Sequence, residues 1–186
     1  LVRPAPLPTP VVANAVRRLA AAAGVMVTAS HNPPQDNGYK VYLGEQLGGP
    51  AGAGAQLVEP ADAEIEAAIA AVGPLSAVWL GDTGVRLDAS VVDAYLADAA
   101  GLVAPGKITV AYTPLHGVGG ETFVAAMRRA GFGEPATVSN QFAPDPDFPT
   151  VAFPNPEEPG AMDRVVALAT ACRADIAIAN DPDADR

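Results

Sequence analysis

From Lys107 to the last residue, short apolar runs alternate with longer segments that have the composition of helices. The apolar runs lie at 107–112, 136–139 and 175–179, and the helical segments lie at 119–130 and 160–174. Strands that alternate with helices of about 10–15 residues are typical of parallel sheets. This alternation predicts an α/β layer with a largely parallel sheet. The proline-rich stretch 142–159 is expected to be an extended loop, because proline fits neither a helix interior nor a central strand.

The segment before Asp88 is less regular. Its pattern predicts a helix at 10–23, strands at 25–29 and 38–43, a Gly/Ala-rich loop at 44–56 and a helix at 59–73. Residues 73–87 contain glycine and proline with little helical pattern, so we place a domain boundary near Asp88. The two domains are expected at 1–87 and 88–186. Asp88 or Ser90 is the expected N-cap of the helix that opens the second domain.

The composition excludes several classes of protein. The 186 residues include 21 Asp and Glu against 11 Lys and Arg, which gives a net charge of -10. This balance argues against a nucleic-acid or membrane partner, because phosphate surfaces recruit clustered Lys and Arg. Cys172 is the only cysteine, so an internal disulfide is excluded and a reducing cytoplasm is the expected location. The start "LVRPAPLPTP" and the end "NDPDADR" lead us to expect a fragment of a longer protein.

Three carboxylates follow the last apolar run. Asp181, Asp183 and Asp185 alternate, and alternate side chains of an extended backbone point to the same side. Carboxylates held together repel one another unless a cation neutralises them, and oxygen ligands suit a hard ion such as Mg²⁺. The carboxyl end of a strand is also where open α/β sheets usually bind ligands. The spacing therefore favours a metal site.

Other interpretations of this acidic turn stay open. An EF-hand loop needs glycine at its sixth position, where Arg186 stands. A phosphatase of the haloacid dehalogenase type also has two alternating aspartates after a strand, but it has Thr or Val where Asp185 stands. A solvated acidic turn without a ligand is the remaining alternative.

A second polar turn lies in "VTASHNPPQDNGYKVY", between the two expected strands of the first domain. Ser30 and His31 lie in the turn, and Lys40 lies in the strand after it. Serine and asparagine often bond their own backbone in turns, so the residues alone favour a structural role. A serine beside a histidine is not a catalytic triad, because sequence neighbours rarely have the geometry of nucleophile and base.

The stretch "TPLHGVGGETF" joins an expected strand to a helix through three glycines. A glycine-rich turn before a helix can approach an anion, but this one has neither the lysine of a P-loop nor the spacing of a dinucleotide motif. We interpret it as a tight strand-to-helix turn, with His116 as a turn residue.

Four stretches taken together resemble the α-D-phosphohexomutase superfamily. "GVMVTASHNPPQDNGYKVY" is similar to its active-site serine loop, and "NDPDADR" is similar to its metal loop. "PTP" before the first helix and "TPLHGVGG" in the second domain also fit. The form "DPDADR" with "FPTVAFPNPEEP" upstream looks most like the branch that holds bacterial phosphoglucomutase/phosphomannomutase and phosphopentomutase enzymes. The matches occur in order along nearly the whole chain.

The resemblance implies a metal site and a phosphorylated serine. Ser30 matches the serine that carries the phosphoryl group. Asp181, Asp183 and Asp185 match the three Mg²⁺ ligands, and an oxygen of the phosphoserine at Ser30 would complete the protein ligands.

It also implies roles for three further residues. Arg186 matches the arginine that ends the metal loop, near the phosphoryl group and the substrate. Lys40 matches an active-site lysine that transfers a proton or stabilises charge, and His31 follows the serine in the motif.

The implied reaction moves a phosphate between C1 and C6 of a hexose, or between C1 and C5 of a pentose. It passes through a phosphoserine and a bisphosphorylated sugar, which serves as intermediate or activator, and its partner is a sugar phosphate. The implied fold is α/β, with two incomplete domains that each hold a mixed or parallel sheet packed by helices. A fragment of this kind is expected to be inactive alone. The alternatives are a sugar-phosphate hydrolase with Asp181 as nucleophile and a non-catalytic module for Mg²⁺ or Ca²⁺.

Overall fold

A computed structural model describes residues 6–81 and 83–186. The described residues form seven α-helices: α1 (Thr9–Arg18), α2 (Glu45–Gly52), α3 (Ala61–Ala71), α4 (Ser90–Ala100), α5 (Gly120–Arg129), α6 (Ser139–Phe142) and α7 (Asp163–Cys172). They also form five strands: β1 (Ala23–Val27), β2 (Tyr39–Leu43), β3 (Val110–Thr113), β4 (Ala136–Thr137) and β5 (Ile176–Ala179). We call residues 6–81 the first part and residues 83–186 the second part. Within these ranges no helix is both long and apolar enough to cross a membrane.

The second part contains the predicted parallel sheet. Its strand order is β4-β3-β5, and β3 runs parallel to both neighbours. Helix α7 covers one face, where Ala111, Val138 and Val165 form a buried core. Helices of this length on a short parallel sheet are what the alternation predicted. The arrangement places the carboxyl ends of β3 and β5 side by side. The loops at 114–119 and 180–186 leave the sheet there.

The first part contains an antiparallel pair of strands. In the register of β1 and β2, Val25 lies opposite Val41 and Val27 lies opposite Tyr39. Helix α1 packs on one face of the pair, close enough that a side chain at Gly24 would meet Val16. The opposite face is open, and Val27 is 80% exposed. The turn between the two strands carries Ser30.

The predicted α/β class is confirmed, with local corrections. The helix predicted at 10–23 ends at Arg18, and the first strand begins at Ala23 within that predicted helix. The strand predicted at 136–139 is limited to β4, and α6 begins where that prediction ended.

The predicted loop 44–56 contains helix α2, because the N–H groups of Leu47 and Gly48 bond the carbonyl of Gly44 and start a helical turn. Gly49 has a φ of 67° and kinks this helix, which hid it from a periodicity search. At the start of α4 the N-cap is Ala89, while the carboxylate of Asp88 accepts the Ser90 N–H at 2.9 Å.

The two parts meet along helix α1. Near its carboxyl end, Arg18 Nη1 lies 2.9 Å from both carboxylate oxygens of Asp98 in α4, and Asn14 Nδ2 donates to the same carboxylate at 2.8 Å. At its amino end, Thr9 contacts the acidic turn of the second part. Helix α1 therefore connects the first part to two places in the second. The boundary near Asp88 stays a prediction.

Candidate active site

The acidic turn begins directly after β5. Asp181, Asp183 and Asp185 each offer a carboxylate oxygen, and these oxygens lie within 4.8 Å of one another. Asp181 is fully buried and Asp183 nearly so, while Asp185 is more open to solvent. Aspartate is rarely buried unless its charge is compensated. The three carboxylates thus converge as the alternating spacing predicted.

Hydrogen bonds close this turn at its base. The side chain of Asn180 donates to the Arg186 carbonyl at 2.7 Å, and the Arg186 N–H donates to Asp181 Oδ1 at 3.1 Å. The buried hydroxyl of Tyr112, in β3, donates to Asn180 Oδ1 at 2.9 Å. Ala184 takes a left-handed φ of 57° in the middle of the turn. The two ends of the turn are therefore bonded to each other, and Asn180 ties them to β3.

The glycine-rich stretch after β3 supports the turn from one side. It forms the tight strand-to-helix turn expected there and leads into α5 at Gly120. The N–H of Val118 donates to the Pro182 carbonyl at 2.8 Å. A Cβ at Gly117 would overlap with the backbone of Pro182, so only glycine lets the two turns approach this closely.

His116 is buried in the same stretch and belongs to a polar network. Its Nε2 lies 2.9 Å from Thr150 Oγ1, and Thr150 also accepts from Gln141 Nε2 at 2.8 Å. Gln141 Oε1 in turn accepts from Thr113 Oγ1 at 2.8 Å. Burial lowers the pKa of His116, so the neutral form of this histidine is favoured at neutral pH.

Ser30 projects from the first part into the acidic turn. Its Oγ lies 3.0 Å from Asp181 Oδ2 and 3.0 Å from Asp183 Oδ1, and its single proton can be donated to either. The backbone of Ser30 has a φ of 53°, and its N–H donates to Thr28 Oγ1 at 2.9 Å. A non-glycine residue in the left-handed region is uncommon, and such strain often marks functional sites.

His31 and Lys40 complete the group. His31 Nδ1 lies 3.3 Å from Ser30 Oγ and 3.5 Å from Asp181 Oδ2. Lys40 comes from β2, and its ammonium lies 2.8 Å from Asp183 Oδ2, 2.5 Å from Asp185 Oδ2 and 3.4 Å from Ser30 Oγ. Residues from two distant parts of the sequence therefore surround the serine hydroxyl.

The charges in this cluster perturb one another. Burial and the neighbouring Asp183 raise the pKa of Asp181. Burial acts on Asp183 in the same direction, but hydrogen bonds from Lys40 and Thr9 outweigh it and hold the pKa of Asp183 below its usual value. Burial alone would lower the pKa of Lys40, but its hydrogen bonds with Asp183 and Asp185 raise that pKa. Lys40 is accordingly a cation at neutral pH.

The residues fit a divalent cation. Three carboxylates face one ammonium, that of Lys40, so the cluster has an excess of negative charge in a partly buried place. Oxygen donors from Asp181, Asp183 and Asp185 are the type that Mg²⁺ prefers. The hydroxyl of Ser30 lies beside them and adds a fourth oxygen.

Arg186 takes part through its backbone. Among the described residues its guanidinium makes neither an ion pair nor a hydrogen bond, while its N–H and carbonyl close the acidic turn. Sequence reasoning missed Thr9, whose hydroxyl donates to Asp183 Oδ2 at 2.6 Å. The only signal for it was the "PTP" triplet before the first helix.

Comparison with known proteins places both parts of the chain in one family. The model for phosphoglucomutase/phosphomannomutase, alpha/beta/alpha domain I, matches residues 1–74. The model for alpha/beta/alpha domain II of the same family matches residues 93–186.

Individual relatives agree with the family models. The "Probable phosphomannomutase" of Haemophilus influenzae is 48% identical over 187 residues, which cover 98% of this chain and 38% of that protein. The phosphopentomutase of Mus musculus is 40% identical over 193 residues, which cover 96% of this chain and 30% of that protein. The chain thus spans well under half the length of these relatives.

Solved structures share the fold. The crystal structure of the "putative phosphomannomutase" from Thermus thermophilus superposes on 98% of this chain, with a TM-score of 0.65 and 27% sequence identity. The superposed region covers 39% of that protein. A phosphoglucomutase/phosphomannomutase family protein from Burkholderia thailandensis superposes on 95% of this chain, with a TM-score of 0.61 and 22% sequence identity. The superposed region covers 37% of that protein. With both of its parts matched in order, the chain belongs to the phosphoglucomutase/phosphomannomutase family.

Proposed function

We propose that this chain carries the phosphoryl-transfer centre of a sugar-phosphate mutase, with Ser30 as the phosphoryl carrier. The observation that supports it best is the position of the Ser30 hydroxyl, 3.0 Å from carboxylates that lie 151 and 153 residues further along the chain. Relatives named phosphomannomutase, phosphopentomutase and phosphoribomutase support the reaction class.

In the proposed reaction the phosphoryl group leaves phosphorylated Ser30 for a hydroxyl of a sugar phosphate. The bond between phosphorus and the serine oxygen breaks and a bond to the sugar oxygen forms. The sugar hydroxyl loses one proton and the serine oxygen takes up one, so that Ser30 is left as a hydroxyl. The bisphosphorylated sugar then turns over and returns its other phosphate to Ser30. The net result moves a phosphate between C1 and C6 of a hexose, or between C1 and C5 of a pentose.

The side chains around Ser30 have separate roles. Phosphoryl transfer depends mainly on positioning and on neutralisation of the moving charge. Lys40 is a cation 3.4 Å from the serine oxygen and stabilises that charge. His31, 3.3 Å from the same oxygen, is the proposed hydrogen-bonding partner of the carrier.

Asp181, Asp183 and Asp185 are the proposed ligands of Mg²⁺, together with an oxygen of phosphorylated Ser30. A bound Mg²⁺ would supply positive charge next to the phosphoryl group. Arg186 is the proposed contact to the substrate phosphate. The 186 residues alone are proposed to lack turnover, and the location is proposed to be cytoplasmic, in line with the single cysteine.

The test is Ser30→Ala in the protein expressed from the complete reading frame that encodes this chain. We expect the variant to lose turnover of hexose and pentose 1-phosphates, because no carrier for the phosphoryl group is left. Ser76→Ala is the matched control, since Ser76 is an exposed serine in a short 3₁₀ turn, and it should retain wild-type activity. Product sugar phosphates are quantified by coupled assay or by NMR.

Two outcomes would contradict the proposal. Full activity of Ser30→Ala would remove the serine from the mechanism. Release of inorganic phosphate without an isomerised product would favour a hydrolase with Asp181 as nucleophile.

A further inference from the structure

We propose that Thr9 is a positioning residue, which fixes the Asp183 carboxylate in the orientation that the metal site requires. The inference rests on the proposed role of Asp183 as a metal ligand. It adds a residue of the first part, 174 positions away in the sequence, to the determinants of that site.

Thr9 holds Asp183 by two separate hydrogen bonds. The Oγ1 of Thr9 donates to Asp183 Oδ2 at 2.6 Å, and the backbone N–H of Thr9 donates to the Asp183 carbonyl at 2.8 Å. Thr9 is fully buried, and Asp183 is 3% exposed. One bond fixes the side chain of the aspartate and the other fixes its backbone, so both its position and its rotamer are defined.

The local sequence leaves the backbone N–H of Thr9 available for its bond to the Asp183 carbonyl. Thr9 begins helix α1, and the first N–H groups of a helix have no partner within it. Pro8 and Pro10 flank Thr9, and proline has no N–H of its own and fixes its φ near that of a helix. The Thr9 N–H is therefore a free donor on a stiff stretch of chain, and the acidic turn supplies its acceptor.

The two carboxylate oxygens of Asp183 have different hydrogen-bond partners. Oδ2 accepts from Thr9 at 2.6 Å and from Lys40 at 2.8 Å. Oδ1 faces Ser30 at 3.0 Å. With Oδ2 held by two donors, Oδ1 remains turned toward the serine hydroxyl. Loss of the Thr9 hydroxyl would leave the flexible Lys40 side chain to hold Oδ2, which allows the carboxylate to rotate.

The hydrogen bond from Thr9 Oγ1 to Asp183 Oδ2 is a contact of the kind that orients a metal ligand from behind. Groups that hydrogen-bond a metal ligand typically change metal affinity about 10- to 100-fold when they are removed.

The experiment compares Thr9→Val with Thr9→Ser in the protein expressed from the complete reading frame. Valine keeps the shape of threonine but has no hydroxyl, whereas serine keeps the hydroxyl. Calorimetric titration with Mg²⁺ should give an affinity about 10-fold lower for Thr9→Val, and within about 2-fold of wild type for Thr9→Ser. Asp183→Asn is the reference for loss of the ligand itself.

The outcomes separate this inference from the proposed function. If wild type binds Mg²⁺, Asp183→Asn does not, and Thr9→Val binds like wild type, the inference about Thr9 is wrong while the metal site stands. An equal loss of affinity in Thr9→Ser would show that packing rather than the hydroxyl matters, which also overturns it. If wild type binds no Mg²⁺, the metal site is overturned and the inference falls with it. Thermal unfolding of each variant shows whether an affinity change reflects a loss of folding.

Discussion

The two parts of the molecule hold their functional loops by different means. In the second part, a buried core beneath α7 supports β3 and β5, and the acidic turn is bonded to this core through Asn180 and Pro182. In the first part, α1 covers one face of an antiparallel strand pair, and apolar side chains such as Val25 and Val27 are exposed on the other. The acidic turn is thus held by hydrogen bonds within its own part, next to a packed sheet.

The serine loop relies on polar contacts to that turn. Ser30 and Lys40 both reach the carboxylate of Asp183, and Thr9 binds the same residue from helix α1. The acidic turn is therefore the element against which the serine loop is positioned. The first part aligns Ser30, the proposed phosphoryl carrier, by bonding to this turn. Mutations in the two parts should therefore have different consequences.

The largest expected effect comes from Gly117→Ala, which disturbs the contact between the glycine-rich turn and the acidic turn. A Cβ at this position overlaps with the Pro182 backbone, so one of the two turns must move. We expect a loss of about 3 kcal/mol in the free energy of unfolding, since overpacking of this kind is destabilising. We also expect Mg²⁺ affinity to fall by about 10-fold or more, because the aspartates move with the turn. Urea unfolding and calorimetry measure the two effects.

Gly133→Ala is the matched control, because a Cβ at Gly133 meets no other atom within 4 Å. This variant should keep wild-type stability and metal affinity. Equal results for both glycine variants would mean that the contact between the two turns does not hold the acidic loop.

A smaller effect should distinguish a buried valine of the second part from an exposed valine of the first part. Val165, in α7, is completely buried, whereas Val25, in β1, is 59% exposed. In this 186-residue chain, Val165→Ala is expected to cost about 2 kcal/mol of unfolding free energy, from lost burial and the cavity left behind. Val25→Ala should stay within about 0.5 kcal/mol of wild type, as is usual for surface substitutions. Similar costs for both variants would show that Val25 is buried in the folded protein and that the open face of β1 is covered.

The smallest effect concerns His116, beside the acidic turn. Burial lowers its pKa below the ordinary 6.5, opposed by Asp145 and reinforced by Arg164. Well above pH 6.5 the histidine is neutral in both the folded and the unfolded state, so it does not change the stability. As the pH falls below 6.5, the unfolded chain takes up a proton that the folded protein resists, so stability falls.

His116→Gln removes this titration while keeping a polar side chain near Thr150. Urea unfolding at about pH 7.5 and about pH 5.5, on either side of the ordinary histidine pKa, should show a smaller drop in stability for the variant than for wild type. An identical drop in both would mean that His116 does not contribute to the pH dependence.

Local patterns predicted the order of β3, α5, β4, α7 and β5, because short apolar runs alternate there with ten-residue helices. They missed the four-residue helix α6, which is too short to show a helical period. Helix α2 was missed, since Gly49 and Pro50 lie within it and its hydrogen bonds start from the backbone of Gly44. A helical period in the sequence arises when one face of a helix is apolar and buried, and α2 has no buried residue.

The site was predictable in unequal measure. Asp181, Asp183 and Asp185 were predicted as a group from their alternation after an apolar strand. The contact between Ser30 and Asp181 spans 151 residues, and no spacing rule carries information over that distance, so only the resemblance linked them. The "PTP" triplet was the only sequence signal near Thr9, and it did not point to Asp183, because the tertiary fold supplies that partner.

The most direct test of the central claim is the location of the phosphate. The protein expressed from the complete reading frame is incubated with a sugar 1,6-bisphosphate and Mg²⁺, and then analysed by intact mass and by peptide mapping. We expect a mass increase of one phosphate, mapped to Ser30 and absent from Ser30→Ala. A phosphate on Asp181, or no phosphate on the serine in active protein, would contradict the proposed role of Ser30.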